Sequence, residues 1–526
     1  MTGTEVLEDT VETRWRRLSP LTVWADGAVI AALTGLAAVV AAVVLTLVGM
    51  FVPWGLLAVL ASMLLAGVLV GSEVLRYRHT RYQVTGERLE VRSGVLARAH
   101  LSLSRDRIRS VDLATPLWTR PFGLCKVTVG TGQKVGSGDE ITLTYVETAE
   151  GDRLRRDLLH QTTAGPDAAP GDETADETAT RVLATMAPVW FGYGVAAPGP
   201  AALAYSGIAA VAGALSEFGI RWIADTYLDA GAAPSAGFVV TWTLLALAGA
   251  VALASLGALA LHVEAWWNYR LTREPNGTLR VRRGLLNLSS VSIEERRLRG
   301  VELREYLPLR WFGAASVAAV ASGLDSEEGG GQKSLVPKRS LSPEVPRARA
   351  ERIAAASLPG AVLGPLTAHP GAALRRRLLR AAAAVAGLTV LATALTLVSS
   401  AEPVARTPVP TIPLWVAAAV LVVSAPIAGL YAWGCYRGLG HGLTERHLAM
   451  RRGMAARSTA VLKREAVIGW TVRRSFFQRR AGLATIGATI AADKGVFHAA
   501  DTDSSEGLAF AEEAVPGLLA PFLERG

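Results

Sequence analysis

Cysteine is almost missing from this 526-residue chain: only Cys125 and Cys435 occur, so no disulfide framework staples it. Both read as small apolar packing residues. Metal signatures are missing too. The eight histidines stand singly from His79 to His498, and no His-Glu-x-x-His or Gly-x-Ser-x-Gly occurs. Gly329-Gly-Gly-Gln-Lys333-Ser334 glances at a phosphate loop, but Gln332 breaks its core and the segment reads as a solvated loop. No enzymatic activity and no cofactor are therefore expected. Lysine is scarce, six residues against 48 arginines. Charge is nearly absent from the long apolar runs, apart from Glu217 and Arg221 at one end, and this counts against transport, which needs polar groups inside a helix bundle. No cleavable signal peptide is expected, because the first 24 residues are rich in charge.

What the chain has in quantity is apolar length. Its mean hydropathy is +0.31. Six runs, about Gly27–Met50, Pro53–Val70, Ala201–Gly219, Ala236–Leu261, Leu378–Ser399 and Pro413–Trp433, approach the ~20 residues a helix needs to cross a bilayer. Arginines flank the paired runs, as at Arg14, Arg16, Arg17, Arg76, Arg78 and Arg375 to Arg377, while the short loops inside each pair carry few. The positive-inside rule then predicts a multi-pass inner-membrane chain with both termini and the soluble stretches in the cytoplasm. The net charge of +9 points to anionic lipid as partner and not to nucleic acid.

The soluble stretches share one template. Strand signals at Tyr82–Thr85, Tyr269–Thr272 and His441–Thr444 lead to Gly94, Gly284 and Gly453. Fourteen residues later stand Ile108, Leu298 and Val467, and fifteen beyond those stand Gly123, Gly313 and Gly482. Two spacings held through three copies mark an internal repeat. The glycines read as structural positions that permit a bulge or a positive φ. The expected organisation is an N-terminal segment 1–26, hairpins 27–75, 196–264 and 378–436, β-rich domains 76–160, 265–360 and 437–526, an acidic linker 161–195 and a basic linker 361–377. Each domain should hold six or seven short strands, Gly/Ser-rich turns as at 136–138 and 325–334, and a closing helix, at 151–160, Pro346–Leu358 and Leu508–Leu523. Trp118, Phe122, Trp311, Phe312, Phe476 and Phe477 read as core, with insertion at the bilayer interface as the alternative.

Tyr82-x-Val-Thr85, Leu89-x-Val-Arg-x-Gly94, Leu103-x-Arg-Asp-Arg-Ile108 and Pro116-Leu-Trp-Thr-Arg-Pro-Phe-Gly-Leu124 resemble the bacterial pleckstrin-homology-like family, type two, in its multi-copy membrane form. Leu279-x-Val-Arg-Arg-Gly284 and Leu309-Arg-Trp-Phe-Gly313 carry it in the second copy, and Leu448-x-Met-Arg-Arg-Gly453 in the third, the most drifted. The resemblance implies six transmembrane helices, three pleckstrin-homology-like bent sheets or barrels each capped by a helix, and no catalysis. It implies a scaffold that assembles with itself or with another such membrane protein, in envelope maintenance or resistance to membrane-active agents. A six-span transporter with regulatory domains and an anionic-lipid sensor are the alternatives. Arg105, Arg107 and Arg109 would alternate along a strand and project from one face, with Arg296, Arg297, Arg299, Lys463 and Arg464 equivalent in the other copies. A solvated face is their ordinary role, and contact with anionic headgroups or a partner the sharper one.

Overall fold

The computed structural model describes residues 15–519, apart from 48–51, 86, 95–98, 106–107, 109, 131–139, 161–179, 224–234, 276, 323–335, 362–365, 401–412 and 493–494. The turn at 136–138, the loop at 325–334 with its phosphate-loop glance, and Arg107 and Arg109 lie outside the described residues, as do the side chains of Glu217 and Arg221.

The first segment opens with β1 (Arg16–Arg17) and the apolar helices α1 (Leu21–Leu47) and α2 (Val52–His79). A meander follows: β2 (Arg81–Val84), β3 (Arg88–Ser93) and β4 (Ala99–Ser104). Then come β5 (Ser110–Thr115), β6 (Leu124–Gly130), β7 (Glu140–Glu147) and α3 (Thr148–His160). The second segment has β8 (Arg181–Thr185), α4 (Pro198–Ile223), α5 (Ala236–Trp266), β9 (Arg270–Arg273), β10 (Thr278–Arg283) and β11 (Leu288–Glu294). It continues with β12 (Leu298–Tyr306), α6 (Leu307–Trp311), β13 (Ala314–Ala321), β14 (Val345–Pro346) and α7 (Arg347–Ser357). The third comprises α8 (Gly371–Ser400), α9 (Trp415–Arg437), β15 (Gly440–Leu443), β16 (His447–Arg452), β17 (Ala456–Lys463) and β18 (Val467–Arg473). It ends with α10 (Phe476–Arg480), β19 (Leu483–Ile490), β20 (Val496–Asp503) and α11 (Ser504–Ala514).

Five helices among the described residues are long and apolar enough to cross a membrane: Leu21–Val39, Val59–His79, Gly237–Trp266, Gly371–Ser400 and Trp415–Arg437. A sixth is reached only by counting Pro188–Ala196 with Pro198–Gly213, which are bent by 53° at their junction. Pro198 and Pro200 there remove backbone donors, so a break is the natural outcome. Each helical pair is inserted between two neighbouring strands. β1 pairs with β2 around α1 and α2, β8 with β9 around α4 and α5, and Thr367 bridges to His441 around α8 and α9. β8 falls inside the expected acidic linker 161–195, whose 181–185 portion is thus strand.

The chain divides into two compact units. In the first, an alternation of Leu89, Val91, Leu103, Val111, Val127, Ile141 and Leu143 fills the core, and α3 adds Leu154 and Leu158. In the second, Leu448, Met450, Leu462, Val467, Ile490 and Phe497 pack with Phe510 and Ala514 of α11. The second segment is shared: β8 to β11 belong to the first unit, and β12 to β14 to the second. The sheets explain this division. Besides the β1-β2-β3-β4 sheet, the first unit has a seven-stranded one, β7-β6-β5-β11-β10-β9-β8. The second unit has β14-β13-β12-β17-β16-β15 and β18-β19-β20. A sheet that ends one segment therefore continues into the sheet that begins the next.

The last helix starts and stops earlier than Leu508–Leu523. The Asp503 carboxylate accepts the Ser505 and Glu506 N–H groups and so caps its start. Pro516-Gly517 ends it, and 520–526 lies outside the described residues.

Candidate interaction site

Of the basic positions singled out above, Arg105, Arg296, Arg297, Lys463 and Arg464 have partners within the chain. Arg105 donates from Nη2 to the Asp157 carbonyl of α3 at 3.1 Å, and burial lowers its pKa. Arg296 and Arg297 both reach Glu294, at 2.8 and 3.0 Å, and Arg297 also donates to the Ile108 carbonyl at 2.8 Å. Arg299 is half-buried on β12. Lys463 is 3.8 Å from Glu465. Arg464 donates to the carbonyls of Ala514 at 2.6 Å and Glu445 at 3.2 Å, and to that of Glu513. Arg299 lies on β12 and Lys463 ends β17, Arg107 and Arg109 are outside the described residues, and the others stand at turns. Glu295–Arg297 and Arg464–Ala466 are single 3-10 turns, since the chain must change sheets there, and Arg105 stands past the end of β4. Arg105, Arg296, Arg297 and Arg464 thus brace corners of the chain.

The six glycines fall into two conformational classes. Gly94, Gly284 and Gly453 have φ of 108°, 111° and 95°, and a Cβ at Gly284 or Gly453 would overlap the carbonyl oxygen of Asn287 or Ala456. Gly123, Gly313 and Gly482 are left-handed at 64°, 64° and 66°. Their carbonyls accept the N–H of Thr148, Arg347 and Ser504, at 2.9, 2.9 and 3.0 Å, where α3, α7 and α11 begin.

Two joints between segments are built alike. At the first, β5 runs antiparallel to β11 with Leu113 opposite Ser290 and Thr115 opposite Leu288. At the second, β12 meets β17 over a longer register, from Gly300 opposite Leu462 to Tyr306 opposite Ala456. An arginine clasps each joint: Arg120 donates to the Leu285 carbonyl at 2.8 Å, and Arg310 to the Met454 carbonyl at 3.2 Å. At the second joint Arg457 forks onto the buried Glu305 at 2.8 and 2.6 Å. At the first, the Glu264 carboxylate at the foot of α5 accepts the backbone N–H groups of Leu285, Leu286 and Asn287. The sequence does not single out Arg457, Glu305 or Glu264, whereas Arg120 and Arg310 fall within the motifs Pro116–Leu124 and Leu309–Gly313. A signal existed for Arg120 and Arg310, which stand three residues before Gly123 and Gly313, as Arg479 does before Gly482.

Segment three adds a buried polar cluster. His369 and His441 approach at 3.2 Å, although the histidines are scattered in sequence. Burial drives the His369 pKa down to about 4, and the neighbouring His441 charge reinforces this. The Asp501 carboxylate binds Arg376, Arg377 at 2.9 Å and Gln478 at 2.9 Å. The arginines entering α8 thus anchor that helix to β20, which the positive-inside rule alone does not require. Nearby, a cavity of about 410 Å³ is lined by Arg310, Trp433, Arg437, Met454 and Arg457 at the end of α9. The aromatics expected in the core are exposed in two segments: Trp311 by 74%, Phe312 by 66%, Phe476 by 58% and Phe477 by 72%. Only Trp118 and Phe122 are half-buried, Phe122 packing beside Ala25 of α1.

The family model for the bacterial PH domain matches residues 28–162 and 383–511, together half of the chain. The chain belongs to the bacterial PH domain family. Each match takes in most of a helical pair and the strands after it. The third segment, read above as the most drifted, is matched, and the second is not. No curated protein and no solved structure matches the chain.

Proposed function

We propose that this bacterial PH protein is a non-enzymatic membrane scaffold, with six spans, both termini cytoplasmic, and three PH-like domains each closed by its helix α3, α7 or α11. The observation that carries this reading is the investment of the chain in joints: strand edges, arginine clasps and the Arg457–Glu305 pair all fix one segment to the next. An extended sheet held at a bilayer offers a rigid surface for other proteins. Crosslinking and pull-down from native membranes tests it. The reading expects a membrane-protein partner, or the chain itself, at a constant ratio. Recovery of the chain alone, with solute flux that depends on Glu217 and Arg221, would instead favour a transporter.

A second reading rests on the cavity at the end of α9. Arg437 stacks over Trp433 at 4.3 Å from the ring, and with Arg310 it presents cationic donors beside an interfacial aromatic. Anionic lipid headgroups suit that chemistry. Full-length protein in detergent should be stabilised by short-chain anionic lipid but not by its zwitterionic counterpart, and Arg437→Gln should abolish the difference. Equal stabilisation by both lipids would remove this role.

A further inference from the structure

Both joints obey one register rule. Positions on the outgoing strand can be counted from Ile108 or Leu298, and those on the incoming strand from Gly284 or Gly453. The counts add to eleven in every pair, from Thr115 with Leu288 to Gly300 with Leu462 and Tyr306 with Ala456. The same two strand types occur once more, each with an outer edge to which no strand is paired among the described residues. β18 is the outgoing type and ends its sheet; β4 is the incoming type and ends its own.

Neither edge strand carries lysine or proline, although a shift of register at Val467 and Gly469 interrupts β18. Natural edge strands are blunted by lysine, proline or inward charge. β4 reads Ala-His-Leu-Ser-Leu-Ser, and β18 exposes Ile468 by 62% and Val472 by 41%. Two further residues fit β18 for a joint. A Cβ at Gly300 would overlap the Val461 carbonyl across the second joint, so the strands approach there only because the residue is glycine. Gly469 occupies the equivalent position, at a matching shift of register in its own sheet, but a Cβ added there would meet nothing nearer than Thr489 Cβ at 3.9 Å. The first joint has Ser110 at this position and pairs only from Leu113 to Thr115. Arg479, the counterpart of the clasps Arg120 and Arg310, is exposed on α10.

We propose that the chain assembles head to tail with a second copy of itself, β18 of one copy pairing antiparallel with β4 of the next. The register rule fixes the partners: Gly469 opposite Leu103, Trp470 opposite Ser102, Thr471 opposite Leu101, Val472 opposite His100 and Arg473 opposite Ala99. Such a contact is heterologous, so it closes into a ring or propagates. The proposal deepens the scaffold reading and rests on it for placing both edges on one side of the bilayer.

The test uses full-length protein in membranes with Cys435→Ala. Cys125 is left in place, because it is buried and its thiol is pushed up to about 12. Val472→Cys and His100→Cys are put on separately tagged copies and oxidised. The proposal expects a disulfide between the tags, a ladder beyond the dimer when both changes are on one chain, and none between Val472→Cys and Ser104→Cys. Gly469→Val should lower the crosslinked fraction about tenfold or more, and Arg479→Ala, an exposed change that leaves the fold intact, should lower it too. No bond between the tags, a bond only within one chain, or Val472→Cys copies joining each other would overturn the proposal. If these fail while native-membrane crosslinking still captures another protein, self-assembly is wrong and the scaffold reading stands.

Discussion

Single residues carry two kinds of constraint here, one of backbone and one of protonation. Gly284→Ala forces a Cβ onto the Asn287 carbonyl at a φ of 111°. It should cost about 1–3 kcal/mol, the range for a strained backbone, read as a lower unfolding midpoint in detergent; an unchanged midpoint would mean that the turn relaxes freely. The histidines of segment three act through pH. Burial, chiefly, lowers His369 to about 4 and also lowers His441, despite the neighbouring Glu506. Unfolding restores the ordinary value of 6.5 for both, so between about 6.5 and 4 the unfolded chain binds more protons than the folded one. Stability should therefore fall as pH drops through that window. Replacing both with glutamine should flatten the dependence, and a midpoint independent of pH between 7 and 4 would contradict the burial of the pair.

Among the elements, the joints matter most, and the second offers the sharper test. Glu305 is almost fully buried, its side chain only 2% exposed, and takes both Arg457 and Arg347, the latter at 3.5 Å. Removing one partner of a buried pair costs about 3–5 kcal/mol. Arg457→Ala should fall at the lower end because Arg347 remains, and Glu305→Ala at the upper end because two arginines lose their acceptor. Equal and negligible losses would show that the β12 to β17 pairing does not depend on this pair. Much at this scale was legible beforehand. Alternation along Leu89, Val91, Leu101 and Leu103 announces β3 and β4, and the constant glycine spacings mark the turns at Gly94 and Gly123. The joints were not legible, because β5 and β11 pair across more than 170 residues and edge pairing uses backbone groups common to every residue. Glu264 was hidden for a related reason: its partners are backbone amides. The exposed Trp311 and Phe477 show the converse limit, since aromatic residues serve a core and a bilayer interface equally well.

For the whole molecule, the sheets make the segments interdependent. In detergent, a fragment of residues 1–160 would bare the β5 edge that β11 covers, so it should aggregate, whereas one running from residue 1 to the end of β11 should not. Comparable monodispersity of the two by gel filtration would argue that the first segment is self-sufficient. Neighbouring segments are joined through shared sheets, and a disulfide across the first joint probes that union. Ala114 and Ser289 are opposite one another in β5 and β11. With Ala114→Cys and Ser289→Cys in membranes, and a protease site inserted between β7 and β8, oxidation should keep the cleaved halves together on a non-reducing gel. Ala114→Cys with Asn287→Cys should release them. Halves that separate in the first case, or stay joined equally in both, would contradict the claim.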